Sequence, residues 1–165
     1  MATLDLGPAR VGFATDGPDD AGDPVLLFHG TTMDRTAWDM VRAAMATPRR
    51  YVAVEFPGSG ESSMPTGPLT VDGLVEQAVA VMDHLGHQRF HVAGYSLGAV
   101  VALGTGALVP DRVRTVTSLC GWARSDARMR WTFDLWKRLI EADPALFMRY
   151  AVADGFTAGG IAALE

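Results

Sequence analysis

The segment HVAGYSLGAV (residues 91–100) sets Ser96 between Gly94 and Gly98, with an apolar run on either side. A serine has one chemistry open to it in that setting: its hydroxyl attacks an electrophilic carbon, provided that a base takes the proton. Glycine two residues to each side lets a strand turn sharply into a helix and lifts the hydroxyl clear of the sheet's C-terminal edge. The helix that follows aims its N-terminus at the site, where free N–H groups favour an oxyanion.

A second piece is His29-Gly30-Thr31-Thr32, which closes the apolar run VLLF. The backbone N–H of Thr31 would join that of Leu97 as the two donors of an oxyanion hole. Gly30 and Tyr95 flank these donors and are candidates for substrate contact, as are Trp122, Trp131 and Trp136 farther on. Those tryptophans, with Phe133, suit a small hydrophobic or aromatic acyl substrate. They suit the interior of a helical segment equally well.

The base is harder to place. Of four histidines, His29 lies in the loop that would form the oxyanion hole, His84 and His87 flank the turn at Gly86, and His91 begins its strand. The last three fall at the wrong end of the strands for general-base work at Ser96. His29 and, for the acid, Asp126 are the local substitutes. The expectation is that neither serves and that the base is not in this chain.

Positioning these residues requires alternating strands and helices. Arg10–Ala14, Val25–Phe28, Tyr51–Val54, Phe90–Ala93 and Val113–Cys120 read as strands bounded by turn signals. Asp34 can cap a helix with Ala37, Trp38, Val41, Ala44 and Met45 on one face. Thr70–Leu85 carries Val71, Leu74, Val75, Ala78, Val79 and Met82 at helical spacing up to Gly86, and Leu97–Val109 is a helix closed by Pro110. The pattern predicts an α/β fold, a mostly parallel sheet covered by helices on both faces.

The texture changes after Gly121. Arg124–Ile140 has Met129, Phe133, Trp136 and Ile140 on one helical stripe, and Asp143-Pro144 opens a second helix to about Ala153. The expected organisation is a core over residues 1–121 and a helical lid segment over 122–165. Val113–Cys120 would then be an unpaired apolar edge, which proteins avoid exposing.

Composition excludes several other functions. A net charge of −5 with a pI near 5.3 leaves no electrostatic footprint for nucleic acid or an anionic membrane. The single Cys120 forms no internal disulfide, and no metal-binding spacing or cofactor motif is present. Residues 92–109 are uncharged but broken by Gly94, Gly98, Gly104 and Gly106, so strand, turn and buried helix explain them better than a membrane span. MATLDLGPARVGF has no signal-peptide pattern, which makes the cytoplasm the expected compartment.

VLLFHG, the downstream Trp38, YVAVEFPGSGES, LGHQRFHVAGYSLGAVVAL and PDRVRTVTSL occur here in one order. Over about residues 10–120 the set resembles the α/β-hydrolase fold family, in its serine-nucleophile branch. The resemblance implies Ser96 as nucleophile, the Thr31 and Leu97 amides as oxyanion hole, no cofactor, and a lid starting after Cys120 with ligand entering between lid and sheet. Glu55 stands where the family commonly has Asp. The family's triad acid and histidine follow later strands, so the resemblance also implies a complementary C-terminal polypeptide that supplies them. The activity expected is that of a serine hydrolase on an ester, thioester or lactone. Other chemistry on the same fold (C–C hydrolysis, acyl transfer, a lyase step) and a non-catalytic binding protein are the alternatives.

Overall fold

The computed structural model describes residues 1–162. Its chain divides into two compact units, residues 1–123 and the segment from Arg124 onward.

The first unit is built on six strands: β1 (Ala2–Leu6), β2 (Ala9–Asp16), β3 (Val25–Phe28), β4 (Tyr51–Val54), β5 (Phe90–Tyr95) and β6 (Val113–Leu119). They form one sheet in the order β1-β2-β4-β3-β5-β6. Strands β4, β3, β5 and β6 run parallel, whereas β1 and β2 are antiparallel. The sequence pattern indicated only the middle of β2 and missed β1. Gly7, at φ +73°, turns the chain between them so that Leu6 pairs with Ala9, a two-residue hairpin whose partly polar strands carry weak apolar alternation.

Register is what assembles a site. Phe28 pairs with both Val54 and Gly94, and Tyr95 pairs with Leu119. Strands β3, β4, β5 and β6 therefore end level with one another, and the residues that follow them meet at one edge.

Helices cover both faces unequally. On one face α2 (Val71–His84) and α3 (Leu97–Leu108) pack over Val11, Phe13, Leu26, Phe28, Val52, Val54, Phe90 and Val92. Thr70 caps α2 by accepting the Gly73 N–H at 3.1 Å. At its other end the His87 and Gly86 amides donate to Met82 and Asp83, with Gly86 at φ +77°: the left-handed ending that its glycine predicted.

On the opposite face, among the described residues, the buried cover is Trp38 over Leu27, Tyr51 and Ala53. The helix expected after Asp34 is a short 3-10 turn, Arg35–Trp38, followed by α1 (Asp39–Ala43). Val41 and Met45 are exposed, so the predicted apolar face does not form beyond Trp38.

In the second unit α4 (Ala127–Ala142), α5 (Pro144–Gly155) and α6 (Ala158–Ala162) follow in turn. Asp126 caps α4 through the Met129 N–H at 2.8 Å, and Asp143 caps α5 through that of Ala145 at 2.9 Å. Trp136 of α4 meets Phe133 and the buried Phe147 of α5 edge-on, at 5.5 and 5.6 Å between ring centroids.

Candidate active site

Ser96 lies between β5 and α3 at φ +55°, ψ −116°, a conformation that costs a non-glycine residue free energy and persists only where its surroundings impose it. Two close approaches impose it here. A Cβ on Gly94 would stand 2.0 Å from the Gly98 carbonyl oxygen, and one on Gly98 would stand 2.2 Å from that of Phe28. The Ser96 N–H donates to Leu119 at 2.9 Å, and the Ser96 carbonyl accepts from Ala99 and Val100. The elbow is thus clamped between the ends of β3 and β6.

The N–H of Leu97, at the first position of α3, has no intrahelical acceptor. The loop after β3 forms a turn in which the Met33 N–H donates to Gly30 at 3.3 Å, with Thr32 at φ +62°. Thr31 occupies the second position of that turn, whose closing hydrogen bond leaves its N–H unused. A Cβ on Gly30 would meet the Tyr95 ring at 3.0 Å, so loop and elbow are neighbours. Gly30, Thr31, Tyr95, Ser96 and Leu97 are brought together at one edge of the sheet.

His29 is no base. Only 1% of it is exposed, its Nδ1 donates to the Gly30 carbonyl at 2.8 Å, and its Nε2 accepts the Phe56 N–H at 3.1 Å. Burial holds its pKa below the ordinary imidazole value, against the opposing pull of the Gly30 hydrogen bond and of Glu55 and Asp34. His84 meets Phe13 edge-on, His87 follows the α2 turn, and His91 pairs with Thr115 at the start of β5. Among the described residues no imidazole is hydrogen-bonded to Ser96. Asp126 is occupied in capping α4.

The tryptophans belong to different units. Trp122 is half-buried in the first unit, while in the second Trp131 is 80% exposed and Trp136 is packed on Phe147.

Sequence reasoning noted Glu55 only as a departure from a family pattern. The structure gives it a task. Its buried carboxylate accepts the Glu61 N–H at 2.7 Å and pairs with Arg35, and its carbonyl accepts the Ser62 hydroxyl at 2.7 Å. A Cβ on Gly60 would strike that carboxylate at 2.1 Å. The signal was the density of small residues in EFPGSGES, which admit a buried side chain beneath a backbone loop.

No group of His, Cys, Asp and Glu capable of holding a metal occurs among the described residues, and no helix there is long and apolar enough to cross a membrane.

Residues 23–161 match the sequence profile of the alpha/beta hydrolase fold. The chain is 31% identical over 159 residues to the pyrrolizixenacetamide deacetylase of Xenorhabdus hominickii, covering 95% of this chain and 59% of that protein. It is 30% identical over 110 residues to the pimeloyl-[acyl-carrier protein] methyl ester esterase of Methylococcus capsulatus, covering 67% and 41%. A solved thermophilic esterase from Thermogutta terrifontis superposes with a TM-score of 0.73 at 25% identity, over 88% of this chain and 53% of that one. The chain spans about half the length of the relatives it matches.

Proposed function

The chain belongs to the α/β-hydrolase fold family, and from that premise we propose that it is the nucleophile-bearing part of a serine hydrolase acting on an ester, thioester or lactone. Ser96 Oγ attacks the substrate carbonyl carbon while a base accepts its proton. The tetrahedral oxyanion is held by the Thr31 and Leu97 N–H groups. The carbon–oxygen or carbon–sulfur bond breaks, the leaving group takes the proton, and water then releases the acid from acyl-Ser96.

The observation that carries this reading is the conformation of Ser96: a non-glycine residue at φ +55° between two glycines that tolerate no Cβ, capped by a helix with a free first N–H. Relatives named for ester and amide hydrolysis support it. All such reactions pass through the same tetrahedral carbon, so a test panel includes an acetamide beside the esters.

The base and its acid come from a complementary C-terminal polypeptide of the same fold. Two features support that partner: among the described residues no histidine is placed at Ser96, and β6 has no strand on its outer edge, with Leu119 44% exposed. The helices after residue 121 are the start of a lid on this reading.

The experiment is covalent labelling. Residues 1–165 with the complementary polypeptide are expected to take up a fluorophosphonate at Ser96, and the Ser96→Ala assembly to take up none. An adduct that survives in Ser96→Ala overturns the assignment, and an unlabelled wild-type assembly points to a non-catalytic binding protein.

A further inference from the structure

Of the few polar side chains buried in the first unit, His29 and Glu55 stand side by side at the edge that carries the site. Acyl transfer uses neither. Glu55 is accounted for by Arg35 and the Glu61 amide. His29 is not accounted for by any step above.

Its partners fix its chemistry. The Gly30 carbonyl can only accept, so Nδ1 carries the proton; the Phe56 N–H can only donate, so Nε2 is bare. The imidazole is therefore neutral, in one tautomer, with both nitrogens engaged. The same Gly30 carbonyl closes the turn to Met33 that presents Thr31. Phe56 lies in the loop after β4, and its ring lies against the imidazole with centroids 4.7 Å apart.

We propose that His29 is a positioning residue whose neutral imidazole couples the Gly30–Met33 turn to Phe56, sets the direction of the Thr31 N–H, and lets go of the Phe56 N–H, uncoupling it from the turn, when the ring is protonated. Its catalytic consequence rests on Thr31 being an oxyanion donor; the coupling itself does not. A proton on Nε2 would face the Phe56 N–H, donor against donor, and would place a charge where water scarcely reaches. Glu55 beside the ring and Asp34 beyond the turn favour the cation, but Glu55 is already paired with Arg35, and α3 brings no titratable side chain. Burial outweighs both, so release falls on the acid side of about 6.5.

Nitrogen-15 NMR of residues 1–165, titrated from about pH 7.5 to about 4.5 across the imidazole range, reads the ring and the amides together. The expected result is an Nδ1–H tautomer at neutral pH, with the Thr31 and Phe56 amide shifts moving at the midpoint of the His29 ring. In His29→Gln, whose side-chain carbonyl can still accept from Phe56 but cannot titrate, the Thr31 shift stays flat. An Nε2–H tautomer, a flat Thr31 shift in the wild type, or loss of all core amide dispersion at that midpoint would each overturn the proposal. If His29→Gln does not fold, the wild-type titration still decides. In the complete assembly, before any labelling, His29→Gln is expected to lower kcat about tenfold with KM unchanged, less than outright donor loss. Failure of Ser96 labelling there strikes the hydrolase reading and leaves the ring-to-turn coupling to be judged by the titration.

Discussion

Gly98 and Phe28 approach so closely that a methyl group on the glycine would stand 2.2 Å from the Phe28 carbonyl oxygen. The first turn of α3 is thereby pressed against the end of β3, so the elbow and the loop that follows β3 share one close contact.

Gly98→Ala is therefore expected to destabilise the chain by about 3 kcal/mol or more, the upper range of overpacking, because the obstacle is backbone and cannot rotate away. Gly155→Ala, where a Cβ meets nothing within 4 Å, is the control and should leave the melting temperature unchanged or slightly raised. Thermal melting by circular dichroism compares them. Equal melting temperatures would mean that the contact relaxes without cost.

Thr31 tests the hole. Its place in the turn suits the fixed φ of proline, so Thr31→Pro deletes little besides the N–H. In the complete assembly Thr31→Pro should cost about 10²–10³ in kcat, whereas Thr31→Ala should cost little. Equal and mild effects on single-turnover acylation would remove Thr31 from the oxyanion hole.

Much of this arrangement was legible in the sequence, for identifiable reasons. Apolar strands in VLLF and YVAV, the helical spacing from Val71 to Met82, and the two glycines around Ser96 each carry a local signal that the tertiary structure reinforces. What was illegible depended on partners distant in sequence. Strand β1 is recognisable only beside β2, the helix expected after Asp34 shortens to α1, and the task of Glu55 appears only once Gly12 and Gly60 are seen to make room for it. His29 could be placed in its loop from sequence, but its tautomer required Phe56, far along the chain.

Glu55→Gln should be costly. It removes the charge paired with Arg35 and leaves that guanidinium, whose side chain is 23% exposed, facing a neutral amide. Partial access to water moderates the 3–5 kcal/mol typical of breaking a fully buried pair, so a loss of about 1–3 kcal/mol is expected. Urea unfolding measures it, and a variant as stable as the wild type would show that the pair contributes nothing net.

The buried histidine makes stability depend on pH in a defined direction. Burial lowers the His29 pKa in the folded chain, so the unfolded chain binds the proton first as the medium acidifies. The contribution is whole above about 6.5 and is lost as pH falls from there through the lowered folded value. His87, lowered by burial and by Arg50, adds in the same sense. His29→Gln should flatten part of the fall in melting temperature between about pH 7 and about pH 5, and the His87 part should remain. A slope identical in wild type and variant would show that His29 is not held neutral.

The sparsely covered sheet face yields a test of the partner. An open groove of about 290 Å³ there is lined by Leu27, Trp38, Tyr51, Ala93 and Leu119 among others. Trp38 Nε1 and the Tyr51 hydroxyl are buried in it without a hydrogen-bond partner among the described residues. A buried polar group left unpaired costs about 1–3 kcal/mol, so Tyr51→Phe should stabilise residues 1–165 on their own. If the complementary polypeptide covers this face and supplies an acceptor, the sign reverses: Tyr51→Phe should then weaken its association by up to about tenfold, the size of one neutral hydrogen bond. Melting of the single chain and titration calorimetry of the pair read the two effects separately. A stabilised chain whose affinity is unchanged would mean that the partner leaves the hydroxyl unpaired, and a destabilised chain would mean that the hydroxyl already has a partner within residues 1–165.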